Sequence, residues 1–137
     1  MQRPEVRAFK NELRNYTYYC SRIASLEESI EFMYDRLGGV RGVDPSKEPL
    51  HSAPSKEYEY MLRDKITNLE ANKALYEAKR DYIDLILGRM ETALKEAVIS
   101  VYVKQERCLK VADRYYLSST GLQKRMNRAI EVAINEV

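Results

Sequence analysis

Tryptophan is absent from this chain of 137 residues, and histidine occurs once, as His51 in a proline-rich stretch. A lone loop histidine with no recognisable partner excludes a readable Ser-His-Asp or Cys-His centre. Cysteine is almost as scarce. Cys20 and Cys108 lie far apart without metal-ligand spacing, so reduced thiols are expected rather than a disulfide framework or zinc site. Only five glycines and four prolines punctuate the chain. Seven of those nine lie at or before Pro54, too few beyond it for the turns that many short strands need. Long apolar runs are missing too. Ala97–Val103, the longest uncharged apolar-rich run near the C-terminus, is far too short to span a bilayer. The first residues, Met-Gln-Arg-Pro-Glu-Val-Arg, have no apolar core like that of a signal peptide. A cytoplasmic protein without membrane partners is expected.

What is present favours helices. The chain is 32% charged and 45% hydrophobic, and it carries eleven tyrosines whose amphipathic rings can supply buried area. Val6, Phe9, Leu13, Tyr16, Cys20, Ile23, Glu27, Ile30, Tyr34 and Leu37 follow one another at steps of three and four. That heptad stripe predicts one long helix, with Pro4 in its first turn and Gly38-Gly39 ending it. Gly42, Pro45, Pro49 and Pro54 then make residues 38–54 a flexible linker. Gly38-Gly39-Val40-Arg41-Gly42 is not a phosphate-binding loop, since it lacks the Lys-Ser/Thr ending and a preceding strand.

A second stripe, with Ser55 as its cap, comprises Leu62, Ile66, Leu69, Lys73, Tyr76, Arg80, Ile83, Leu87, Met90 and Leu94. Tyr82, Leu85 and Ile86 widen its apolar face near Gly88, a junction. Two such helices joined by a loop predict an antiparallel, coiled-coil-like hairpin over residues 1–88. Asp81 with Asp84, and Glu27, Glu28 and Glu31, read as solvated helix faces rather than metal or acid–base groups. No cofactor and no enzymatic activity are expected, for want of a convergent nucleophile, base or metal set.

Charge is informative only locally. The whole chain is +2, but residues 104–128 hold seven Lys or Arg against Glu106 and Asp113. Such a segment fits either a polyanion-binding surface or a solvated helix face. Within residues 89–137, Leu94, Ala97, Val98, Val101 and Tyr102 keep helical spacing before a polar break at 104–106. Cys108, Leu109, Val111, Ala112 and Tyr115 then mark one face of a short helix. Tyr116-Leu117-Ser118 reads as a tight connection with Ser118 as the next cap. The last helix turns Leu122, Met126, Ala129, Ile130, Ala133 and Ile134 inward and Gln123, Lys124 and Asn127 outward. This is the layout of a helix-turn-helix unit.

The stretch VADRYYLSSTGLQKRMNRAI resembles the helix-turn-helix of region 4 of bacterial sigma factors, with Arg128-Ala129 where an Arg-Ala pair belongs and Tyr116 where a turn glycine is usual. From about Phe9 onward the chain also resembles phage late transcriptional regulators of the RinA/ArpU type. The resemblance implies an all-α activator of late phage or prophage genes, acting on double-stranded DNA in the bacterial cytoplasm. In that reading Gln123, Lys124 and Asn127 contact bases, with Ser119 and Thr120 near the helix start. Arg107, Lys110, Arg114, Arg125 and Arg128 hold phosphates. The hairpin would support self-association into a homo-oligomer or contact with RNA polymerase. A phage terminase small subunit and a coiled-coil adaptor without DNA binding are the competing readings.

Overall fold

The computed structural model describes residues 3–41 and 56–136. The protein is all-α: no strand occurs among the described residues. Its helices are α1 (Pro4–Arg14), α2 (Tyr16–Arg41), α3 (Lys56–Gly88), α4 (Thr92–Val98), α5 (Cys108–Arg114) and α6 (Ser119–Asn135), with a π-helical turn at Ile99–Val103. Most of the linker expected at 38–54, the Ser55 cap and His51 lie outside the described residues.

Two features of the first stripe differ from expectation. The single long helix is interrupted at Asn15, whose φ of −95° and ψ of 0° close α1 before α2 begins. Asn15 N–H donates to the Glu12 carbonyl at 3.0 Å, and its own carbonyl accepts from Tyr19 N–H at 2.9 Å. The chain thus changes helix without a loop. At the other end, Gly38 and Gly39 do not stop α2, which continues to Arg41. Neither glycine takes the left-handed conformation that would close a helix there.

The chain divides into two compact units, residues 1–20 with 78–137, and residues 21–77. The boundary expected from the sequence lay at residue 88 instead. Packing, rather than the position of Gly88, sets the boundary, because α1 lies on α6 and on the π-turn.

In the unit of residues 21–77, α2 and α3 run antiparallel. Arg22 stacks over the Tyr76 ring, Glu27 pairs with Lys73 at 3.3 Å, and Tyr34 donates to Glu70 at 2.8 Å. Leu37 packs with Leu62 and Ile66, with Met33 and Tyr58 against them. The partner numbers fall on one helix as they rise on the other, which fits the expected hairpin. Glu27 and Lys73 each interrupt an apolar stripe, and they interrupt it opposite one another. An exposed pair of this kind adds little stability, but sliding either helix by a turn would set each charge against apolar neighbours.

The other unit carries the larger core. Val6, Phe9 and Leu13 of α1, Ile83, Ile86 and Leu87 of α3, Ala97 and Val98 of α4, Val111 and Ala112 of α5, and Leu122, Met126, Ile130 and Ala133 of α6 are all buried. Each large aliphatic among them contributes roughly 1.5–3 kcal/mol by leaving water. Phe9 meets Tyr82 edge to face at a centroid distance of 6.2 Å. Tyr16 donates to Asp84 at 2.9 Å, and burial followed by that carboxylate pushes its hydroxyl up to about 12. The β-branched run Val98-Ile99-Ser100-Val101 remains helical but widens into the π-turn, where Lys104 N–H reaches the Ile99 carbonyl at 2.9 Å. Glu106 N–H then bonds the Ser100 carbonyl at 2.9 Å around Gln105, whose φ is +57°. Those bonds end the helix at the polar break.

Candidate nucleic-acid interface

The connection from α5 to α6 closes by two backbone bonds. Leu117 N–H donates to the Ala112 carbonyl at 3.0 Å, and Tyr116 N–H to the Asp113 carbonyl at 3.3 Å. That is a Schellman end, and its left-handed residue is Tyr116 with φ +58° where glycine is the usual choice. Ser118 opens α6, and its hydroxyl accepts from Gly121 N–H at 3.0 Å. A Cβ on Gly121 would stand 3.1 Å from Ser118 Oγ, so the cap favours a bare backbone there. α5 and α6 pack on one another, with Val111 and Ala112 of α5 and Leu122 and Met126 of α6 buried, a geometry that fits a helix-turn-helix unit.

Tyr116 is 97% exposed, so its side chain adds no packing to offset its backbone strain. A left-handed non-glycine residue costs roughly 1–2 kcal/mol, and glycine gives back about 0.5–1 kcal/mol of unfolded-chain entropy. Tyr116→Gly is therefore expected to stabilise the chain by about 0.5–1 kcal/mol. A denaturant midpoint that moves up at unchanged slope would register the gain; a midpoint that falls would mean the tyrosine ring is held.

The outer surface of α6 is not the face expected from its sequence alone. Arg3, which caps α1, pairs with Glu131 at 3.1 Å, and Lys10 of α1 donates to Asn127 Oδ1. α1 therefore runs beside the stripe of α6 that carries Gln123, Asn127 and Glu131. Asn127 is half-buried and engaged, a correction to its expected outward role. Gln123 keeps its exposure but faces the cleft against α1. Thr120, Lys124 and Arg128 share the remaining solvent face at helical spacing, with Arg125 exposed beside them. Ser119 is half-buried, and its backbone carbonyl accepts the Cys108 thiol at 3.7 Å. Both cysteines are free and half-buried.

Arg107, which caps α5, and Lys110 and Arg114 within it stand at spacings of three and four, and all are exposed. Leu109 was expected on the apolar face and is instead 63% exposed. It stands two residues from Val111, nearly opposite on a helix. Arg114 donates to Glu106 at 2.8 Å and 3.4 Å. That bond holds the Glu106 carboxyl below the usual range and raises Arg114 further. Arg107, Lys124, Arg125 and Arg128 have no carboxylate within salt-bridge distance among the described residues, while the Lys110 charge also acts on Glu106.

Three residues absent from the sequence-based site border it in space. Arg7, Lys10 and Arg14 of α1 line a cleft of about 680 Å³ together with Asn11, Val101, Tyr102, Cys108, Gln123 and Asn127. A signal was there to find. Arg7, Lys10 and Arg14 sit at spacings of three and four, beside the apolar stripe of Val6, Phe9 and Leu13. Lys10 is buried, its ammonium 5.1 Å from the Tyr102 ring centroid, and Arg14 lies 5.7 Å from the same ring. Burial, and then the Arg14 charge, pull Lys10 below the ordinary lysine range, while burial raises Tyr102.

Among the described residues no group of His, Cys, Asp and Glu is arranged to hold a metal, and no helix is long and apolar enough to cross a membrane. No family model, no curated protein and no solved structure matches this chain.

Proposed function

We propose that this chain is a sequence-specific DNA-binding transcriptional regulator, an activator of late phage or prophage genes, with no catalytic activity. The observation that supports it best is the Ser118-capped α6, joined to α5 by a tight turn and lined on its free face by Thr120, Lys124 and Arg128. The first N–H groups of a helix have no intrahelical partners and favour phosphate, while side chains of the first turns reach base edges in the major groove. In this reading Thr120 and Lys124 read bases, while Gln123 faces the cleft against α1. Arg107, Lys110, Arg125 and Arg128 hold phosphates on either side. Asn127 acts through Lys10 and keeps α1 beside the reading helix. Arg114 fixes the end of the π-turn through Glu106 and contributes no direct contact.

In the unit of residues 21–77, Phe32, Tyr34, Tyr60 and Leu75 are each at least half exposed. Apolar side chains at that exposure support self-association or an RNA polymerase contact as the role of the hairpin.

Selection of bound duplexes from fragmented phage DNA tests the reading. Enrichment of one motif upstream of late genes is the expected result. Enrichment at a packaging origin would move the chain to the terminase reading, and no enrichment over a scrambled pool would remove DNA binding altogether.

A further inference from the structure

The cleft between α1 and α6 has a composition that DNA reading by α6 does not require. Arg7, Lys10 and Arg14 supply three cations to its wall, and no carboxylate lines it among the described residues. Asn11, Gln123 and Asn127 add amide groups that can donate hydrogen bonds. Lys10 sits deepest. It is only 7% exposed, and its neighbours are the Asn127 oxygen, the Tyr102 ring and a second cation, Arg14. A buried ammonium without a counter-charge is expensive, and a packed chain usually pairs it, neutralises it or replaces it with an apolar side chain. Here the opening is wide enough to admit the missing charge from outside.

We propose that this cleft binds a phosphate group, held by Arg7, Lys10 and Arg14 with the amides of Asn11, Gln123 and Asn127. Arginine forks match phosphate oxygens two at a time, and a buried lysine gains most from a doubly charged partner. A phosphate seated on Asn127 and Lys10 also bears on the contact that holds α1 against α6, so its occupancy tightens the reading helix in place. The phosphate has two sources, a free phosphorylated small molecule or the backbone of bound DNA. The second source rests on the function proposed above; the first does not.

The full chain is titrated with pyrophosphate against sodium chloride at matched ionic strength, following the melting temperature and the backbone amide signals of Asn11 and Asn127. A saturable rise in melting temperature, with both signals shifting, is the result expected for a free ligand. Arg7→Gln with Arg14→Gln, both exposed in the wild type, should weaken that response at least tenfold while leaving the unliganded chain folded. Lys10→Met is the second variant. It gives up the bond to Asn127 but also removes a buried charge, so it should remain folded without pyrophosphate and should lose the pyrophosphate response.

If pyrophosphate has no effect, the arginine pair is tested on DNA. A fall of about 1.8 in the log–log salt slope of the double variant, for any duplex, places the backbone phosphate in the cleft. Absence of both effects overturns the proposal. Wild-type DNA binding that ignores the arginine pair, without a pyrophosphate response, overturns it while leaving the DNA reading intact. A pyrophosphate response without DNA binding does the reverse.

Discussion

Ile83→Asp is expected to abolish the cooperative folded state of the unit built from residues 1–20 and 78–137. Ile83 is completely buried, in a core that also holds Leu13, Ile86, Met126 and Ile130. An unpaired carboxylate at such a position costs several kcal/mol, to which the lost apolar burial adds roughly 1.5–3 kcal/mol. Small domains have only about 5–15 kcal/mol in total. Far-ultraviolet circular dichroism during heating is the measurement, with Ile83→Val as a control expected to lose only about 0.5–1.5 kcal/mol. Ile23→Asp applies the same insult in the unit of residues 21–77, where Ile23 is also buried. Wild-type melting in both aspartate variants would mean that neither apolar stripe is a packing seam.

Lys124→Gln with Arg128→Gln should remove most of the DNA affinity at physiological salt. Both side chains lie on the free face of α6 and have no carboxylate partner among the described residues, so their charges are available. Two lost phosphate or base-edge contacts should flatten the log–log salt dependence by up to about 1.8. Any loss of base discrimination, about 1–3 kcal/mol for a bidentate pair, should come from Lys124 rather than Arg128. Neither residue enters the core, so the melting temperature should hold. The comparison is binding to a selected site and a scrambled site across a salt series. Unchanged affinity on both would make the basic face of α6 a solvated surface and end the DNA reading. Asn127→Ala should behave differently, because Asn127 is held by Lys10. It should loosen α1 and lower stability, with only a secondary effect on binding.

Much of the helical architecture was readable before any coordinates. Leu37, Leu62 and Ile66 stand where the two stripes put them, and Glu27, the one charged residue of the first stripe, meets Lys73, one of two in the second. The Ser118 cap was equally plain, since a short polar residue between Leu117 and a new apolar period has few other uses. Leu109 departs from the expected apolar face for a local reason: helical rotation sets it nearly opposite the buried Val111, although it is close in rotation to Ala112. The Asn15 break left no mark in the pattern, because the helix changes there with the apolar spacing intact on both sides.

The sequence by itself determined the all-α class, the two apolar stripes, the capped last helix and the excess of positive charge around it. These depend on periodicity and on residues a few positions apart, where side-chain directions follow from one helix alone. Only the tertiary structure decided that α1 belongs with the C-terminal helices and that Asn127 faces Lys10 rather than solvent. It also made Arg7, Lys10 and Arg14 part of one cleft with Gln123. Lys10 and Asn127 are 117 positions apart. A helical period tells which side of α6 is apolar, but not which flank of its polar side another helix will cover, because that depends on packing between segments whose separation along the chain carries no directional information.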